Sequence, residues 1–302
     1  MNYIIHPILP RSRDAVIIDE AEYKEITDAQ KLVWDILLVK EFFSYIVRNF
    51  LLLENKIQEI ESKDKDNPDE FKEQCRNGYF HLENSHISNL LVMNLLTTCN
   101  SYLDSFYYGG RNKNKELFIG KDDIRSKLKL IVDQYYQKDI VYTLFKELRN
   151  YAQHHDNPIK GCPTNISQAI KIGFTIDVSK ILKQANQENL RKYLKTESPN
   201  YSQKELEGYP KKLDIRHLTK EYIFILKNIH EEFNDKLDSE FKNSKNIIAH
   251  KVKYYCHNDS PSSAFEIYKQ NEENGNLERL DISLSLFDDW EEVIEKYSNL
   301  DI

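Results

Sequence analysis

Apolar residues recur at three- and four-residue steps through most of the chain, the pattern of helices that bury one face. The spacing predicts a long helix over residues 19–61, a helix over 84–107 and another from Asp122 to Tyr135. A straight helix over 19–61 would be about 65 Å long at 1.5 Å per residue, so we expect it to bend or break. The polar segment 62–77 predicts a solvated loop followed by a helical turn.

The pattern changes after Pro158. Ile172, Phe174 and Ile176 alternate with smaller or polar residues, which predicts a strand within 169–178. The other elements expected outside the central helices are short strands or an extended arm at 1–18, helices at 179–195, 215–241 and 245–257, a hairpin of 264–268 and 277–286 around Asn274-Gly275-Asn276, and a last helix with Trp290, Val293 and Ile294. The predicted fold is mainly α: a helical bundle over 1–160, then a smaller α+β region over 161–302.

The segment 139–158 combines an apolar stripe with a dense polar cluster. At about 100° per residue, Leu148 and the other apolar residues from Ile140 to Ala152 fall on one arc. The opposite arc carries the polar set Lys146, Arg149, Asn150, Gln153 and His154. His155 falls back on the apolar arc, and Asn157-Pro158 ends the helix.

This polar set suits the handling of phosphate. Arg149 offers a planar fork of donors, His154 can exchange a proton near neutral pH, and Asn150 can orient either of them. A structural alternative remains open, in which Arg149 extends towards solvent and His154 caps the last carbonyls of the helix.

Composition narrows the function classes. The net charge of −7 argues against broad non-specific binding of nucleic acid, although a local basic cleft is compatible with it. Cys75, Cys99, Cys162 and Cys256 are far apart, without zinc-ligand spacing, and are expected to be reduced thiols. Neither a metal nor a cofactor is expected. The sequence has no signal-peptide core and no apolar run of about 20 residues, so we expect a cytoplasmic protein without a membrane partner.

The stretch Leu148-Arg149-Asn150-Tyr151-Ala152-Gln153-His154 resembles the signature of the HEPN superfamily, in which an Arg and a following polar residue precede a His near the end of a late helix. The resemblance covers roughly residues 19–158, and Asn100–Asp104 is similar to the HEPN helix that packs beside the motif helix. It implies an up-and-down helical bundle.

Many HEPN proteins are metal-independent endoribonucleases of host defence, toxin–antitoxin and RNA-processing systems. The resemblance therefore implies an RNase in which Arg149, His154 and Asn150 are catalytic and Lys146 and Gln153 bind substrate. It also implies RNA as substrate, a homodimer through the motif helix, and an antitoxin or defence-system partner. The alternative is a non-catalytic HEPN-like interaction or RNA-binding module. Residues 161–302 could sense a ligand or a viral partner.

Overall fold

The computed structural model describes residues 2–9, 14–66, 68–76, 78–107, 117–118, 121–162, 164–165, 171–177, 181, 190, 213–257, 263–270 and 277–298. Its elements, in chain order, are β1 (Asn2–Leu9), β2 (Val16–Ile18), α1 (Glu20–Asp66), α2 (Pro68–Arg76), α3 (Gly78–Tyr107), α4 (Asp122–Lys138), α5 (Ile140–His154), β3 (Thr164–Asn165), β4 (Lys171–Ile172), β5 (Thr175–Ile176), β6 (Leu213–Asp214), α6 (Arg216–Cys256), β7 (Ala264–Gln270), β8 (Leu277–Ser283) and α7 (Leu284–Ser298). The predicted fold class, mainly α with a smaller α+β C-terminal part, is confirmed.

Helix α1 is the longest element and continues for 47 residues without a break. The expected break is absent because buried residues recur along the helix from Ile26 to Ile60, where α3, α6 and α7 pack against it. The solvated loop predicted within 62–77 is also wrong, and the helical turn expected after it is a full helix, α2. Residues 62–66 extend α1, and α2 begins at Pro68, a residue suited to a first helical position because that position needs no N–H donor.

Helix α3 begins at Gly78, earlier than the start predicted near residue 84. Helix α6 is a single element of 41 residues, whereas the sequence predicted two helices with a gap at 242–244. The buried face continues through that gap, since Phe241, Ser244 and Ile248 follow one another at steps of three and four residues. The polar residues between them lie on the outer face of the same helix.

The main sheet joins the first and last strands of the described chain. Its order is β2-β1-β7-β8, and all three pairings are antiparallel. Ile5 pairs with Ile267, and both side chains are buried. Helix α1 also packs on α6 and α7, and one hydrophobic core includes residues from both predicted regions. The division of the chain at residue 160 stays a prediction, but the two regions share a sheet and a core.

The strand predicted within 169–178 is divided in two. Strand β4 pairs with β3, while β5 pairs with β6, so the two halves belong to different small sheets. Of the helix predicted at 179–195 only Ile181 and Leu190 are described, and the turn at 274–276 lies outside the described residues. The hairpin strands themselves are confirmed as β7 and β8, although residues 284–286 belong to α7. Within the described ranges, no helix has the length and apolar character needed to cross a bilayer.

Candidate functional site

Helix α5 holds the predicted site residues, and its ends are set locally. The side chain of Asp139 caps the helix by accepting a hydrogen bond from the backbone N–H of Tyr142, 2.9 Å away. Leu148 is fully buried, and the ring of Phe145 stacks on the ring of Tyr222 from α6 at 4.5 Å. These contacts fix the rotation of α5 about its axis. The predicted apolar arc faces the core, which leaves the polar set on the other side.

Arg149 is half-buried at the meeting of α5 with α3. Its Nη1 donates to Oδ1 of Asn150 at 3.1 Å, and its Nη2 lies 3.8 Å from Oδ2 of Asp104. The Nδ2 of Asn100 donates to the same Asp104 oxygen. The third guanidinium nitrogen, Nε, is buried and has no hydrogen-bond partner among the described residues. Arg149 is therefore oriented by two neighbours, and its Nε–H has no partner among the described residues.

Asn150 links Arg149 to a second acid. Burial raises the pKa of Glu147, and a hydrogen bond from Asn150 and the charge of Lys146 oppose that rise. The amide oxygen of Asn150 accepts from Arg149, and its amide group lies close enough to Glu147 to lower the pKa of that acid. The orienting role predicted for Asn150 stays a prediction.

A small cavity of about 30 Å³ lies beside Arg149, between α3, α4, α5 and α6. Its charged lining residues are Lys146, Arg149 and Asp104, so the cavity has one more cation than anion although the whole chain carries −7. The Nζ of Lys146 lies 3.9 Å from the centre of the Tyr136 ring, a cation–π contact that holds the lysine at this position. The site thus has a local positive excess.

His154 is the last residue of α5 and is exposed, as is Gln153. It does not line the cavity beside Arg149, so one chain does not bring its Arg149 and His154 into the same pocket.

The expectation for His155 is wrong: this side chain is exposed rather than packed in the core. Its backbone leaves the helix, with φ −132° and ψ −62°, so the helical projection no longer applies. The ring lies 5.8 Å from that of Tyr151.

The chain that follows α5 is held by Asn89 from α3. The Nδ2 of Asn89 donates to the carbonyl of Ile159 at 2.9 Å, and its Oδ1 accepts from the N–H of Ile159 at 2.8 Å. Asn89 is only 7% exposed. One amide side chain therefore satisfies both backbone groups of a residue five positions after His154, and it fixes the exit of the motif helix against α3.

Sequence reasoning did not assign roles to Asp104, Glu147, Asn89 or Tyr222. Asp104 lies in the segment 100–104 that was matched to a HEPN helix, and that match was the available signal for it. Glu147 was visible next to Lys146, but its contact with Asn150 depends on side-chain geometry. Asn89 and Tyr222 carried no local signal, because their partners lie 70 or more residues away along the chain.

Among the described residues, no group of three or more His, Cys, Asp or Glu side chains is arranged to hold a metal ion. The predicted independence of metals stays a prediction.

In comparisons with known proteins, no family model, no curated protein and no solved structure matches the chain significantly. The HEPN resemblance therefore rests on the residues of the chain itself.

Proposed function

We propose that the protein is a metal-independent endoribonuclease of the HEPN type, which acts as a defence or toxin RNase. The observation that carries the proposal is the setting of Arg149. This arginine is held by Asn150 and Asp104 at the edge of a cavity with a positive excess, and an exposed histidine ends the same helix. A guanidinium held in place, with an Nε–H that has no partner among the described residues, is suited to a phosphate that gains charge during reaction.

The reaction follows from the chemistry of RNA. His154 takes the proton of the 2′-hydroxyl next to the scissile phosphate, the 2′-oxygen bonds to phosphorus, and the bond from phosphorus to the 5′-oxygen breaks. The leaving oxygen takes a proton from water and departs as a 5′-hydroxyl, which leaves a 2′,3′-cyclic phosphate on the other fragment. General acid–base catalysis of this kind gives about 10²–10⁴-fold, and Arg149 stabilises the growing negative charge.

In a homodimer, Arg149 and His154 would lie close enough to act on the same phosphate. On one helix Arg149 and His154 point about 140° apart, since they are five residues apart at 100° per residue. A two-fold axis at α5 would bring Arg149 of one protomer towards His154 of the partner subunit. Lys146 and Gln153 then lie on the facing surfaces, where they can bind the RNA backbone. An antitoxin or defence-system partner would control this surface.

The test is incubation of the purified protein with total cellular RNA in EDTA. Wild type should cleave and leave 2′,3′-cyclic phosphate ends, whereas His154→Ala should be folded and inactive. His155→Ala is the matched control, since it removes an adjacent exposed imidazole. Cleavage that requires added divalent metal, with the chelated protein still folded, would overturn the mechanism.

A second arm separates catalysis from the alternative of a non-catalytic interaction or RNA-binding module. Mixed dimers of Arg149→Ala and His154→Ala chains, each inactive alone, should recover activity if one residue comes from each chain. A fully active monomer would contradict the shared site. If Arg149→Ala lowers the melting temperature while wild type never cleaves RNA, the cluster is structural and the module alternative holds.

A further inference from the structure

Arg149 and Tyr222 both line the same small cavity. The Nε of Arg149 is buried and has no hydrogen-bond partner among the described residues. Tyr222 of α6 lines the same cavity with only 4% of its surface exposed, and no described residue hydrogen-bonds to its hydroxyl. Buried polar groups are nearly always hydrogen-bonded, so the unpaired Nε of Arg149 beside this cavity marks a place for a ligand atom or a water.

The cavity is built for an oxygen atom rather than for a base. Its volume of about 30 Å³ exceeds the roughly 10–15 Å³ that a water requires, and it is far too small for a nucleobase. Apolar side chains of Leu96, Val132 and Phe145 form part of its wall. Donors beside this partly apolar wall act in a lower dielectric than bulk water, where their interaction with a charge is stronger.

Tyr222 is fixed in position and in protonation state. Its ring stacks on Phe145, with centres 4.5 Å apart and planes 13° apart, and Tyr142 lies 6.0 Å away. Burial raises the pKa of Tyr222 well above its ordinary value, and the positive charge of Arg149 only partly opposes this. The hydroxyl therefore keeps its proton at neutral pH. It is a donor to an anion and not a general base.

We infer that the Tyr222 hydroxyl and the Nε of Arg149 together donate hydrogen bonds to one non-bridging oxygen of the scissile RNA phosphate. This inference rests on the proposed nuclease function and extends it, because it adds a catalytic residue from the region 161–302. The charge on that oxygen grows as the 2′-oxygen attacks phosphorus. Donors that are already in place stabilise this charge without rearrangement.

Tyr222→Phe tests the inference because it removes only the hydroxyl and keeps the stack on Phe145. We expect kcat to fall about 100-fold, the low end for loss of one such donor, with KM and the melting temperature unchanged. Tyr102→Phe is the matched control: it also removes a buried hydroxyl, one that bonds to Nδ1 of His230 at 3.1 Å. That control should lower the melting temperature and leave kcat unchanged.

The outcomes separate this inference from the nuclease proposal. If wild type cleaves RNA and Tyr222→Phe has the same kcat, the role of Tyr222 is overturned and the nuclease proposal stands. If wild type does not cleave, the nuclease proposal fails. Binding of inorganic phosphate, measured by the melting temperature, then tests the proposed oxyanion site. Phosphate that raises the melting temperature of wild type but not of Tyr222→Phe supports the site. An equal response of the two proteins, or none in either, overturns it.

Discussion

Acid stability should depend on one buried histidine, His230, and the change to test this is His230→Asn. The imidazole is 6% exposed and stacks on Phe43 with ring centres 4.1 Å apart. Its Nδ1 lies 3.1 Å from the Tyr102 hydroxyl. Burial, with a smaller contribution from the charge of Lys40, lowers the pKa of His230 from 6.5 to about 3. Asparagine retains a polar group near the Nδ1 position and removes the titration.

The sign and size of the effect follow from proton linkage. Below pH 6.5 the unfolded chain protonates this histidine, whereas the folded protein leaves it neutral until about pH 3. The contribution to stability is therefore complete above pH 6.5 and is lost as the pH falls towards 3. One pKa unit corresponds to about 1.4 kcal/mol of stability, so the whole difference between the unfolded pKa of 6.5 and the folded pKa of about 3 corresponds to about 5 kcal/mol. Between pH 7.5 and 4.5 the expected loss is about 2.7 kcal/mol.

Urea unfolding at pH 7.5, 6.5, 5.5 and 4.5 on both proteins measures this loss. Other groups also titrate, including Glu22 and Glu291, whose pKa values are lowered, and Asp35, whose pKa is raised by burial. These groups are shared by the two proteins and cancel in the difference. The variant should be less stable at pH 7.5 but should lose about 2.7 kcal/mol less on acidification. Equal losses in the two proteins would refute the assignment of a neutral buried His230.

Two further changes probe the surroundings of α5. Asn89→Ala removes both side-chain bonds to the backbone of Ile159, so the free energy of unfolding, measured in urea, should fall by about 2–4 kcal/mol. A fall below about 1 kcal/mol would show that water replaces these bonds without cost. His155→Ala should change stability by no more than about 0.5 kcal/mol, since the side chain is exposed. If His155→Ala lowers the free energy of unfolding by more than about 2 kcal/mol in thermal or urea melts, His155 packs in the core, as the helical wheel predicted.

The local periodicity of the sequence was sufficient to predict which face of α5 is buried and where the strands of the last hairpin lie. It failed where polar residues lie on the outer face of a long helix. Residues 62–66 were assigned to a loop and residues 242–244 to a gap because they are polar, yet both segments are helical, and in α6 the buried face continues through Ser244. Helix propensity and charge clusters are weak signals when tertiary packing decides the outcome.

The candidate site shows the same limit at the level of single residues. Arg149, Asn150 and His154 could be selected because they share one short segment. Tyr222 could not, since it reads as one apolar position among many in α6, and its hydroxyl becomes significant only when α6 packs on α5. His155 was misplaced because a helical wheel assumes a helix that continues, and α5 ends at His154.

The pairing of β1 with β7 has a consequence for the order of assembly during synthesis. Ile5 leaves the ribosome long before its partner Ile267, with more than 250 residues between them. The entropy of closing so long a loop grows only with the logarithm of its length, but contacts so distant in sequence slow folding. The nascent chain carries α1 with its α6-facing side uncovered, and Tyr222 reaches Arg149 only once α6 has emerged. The cavity beside Arg149 is thus completed late, so early fragments of the chain carry the motif helix without it.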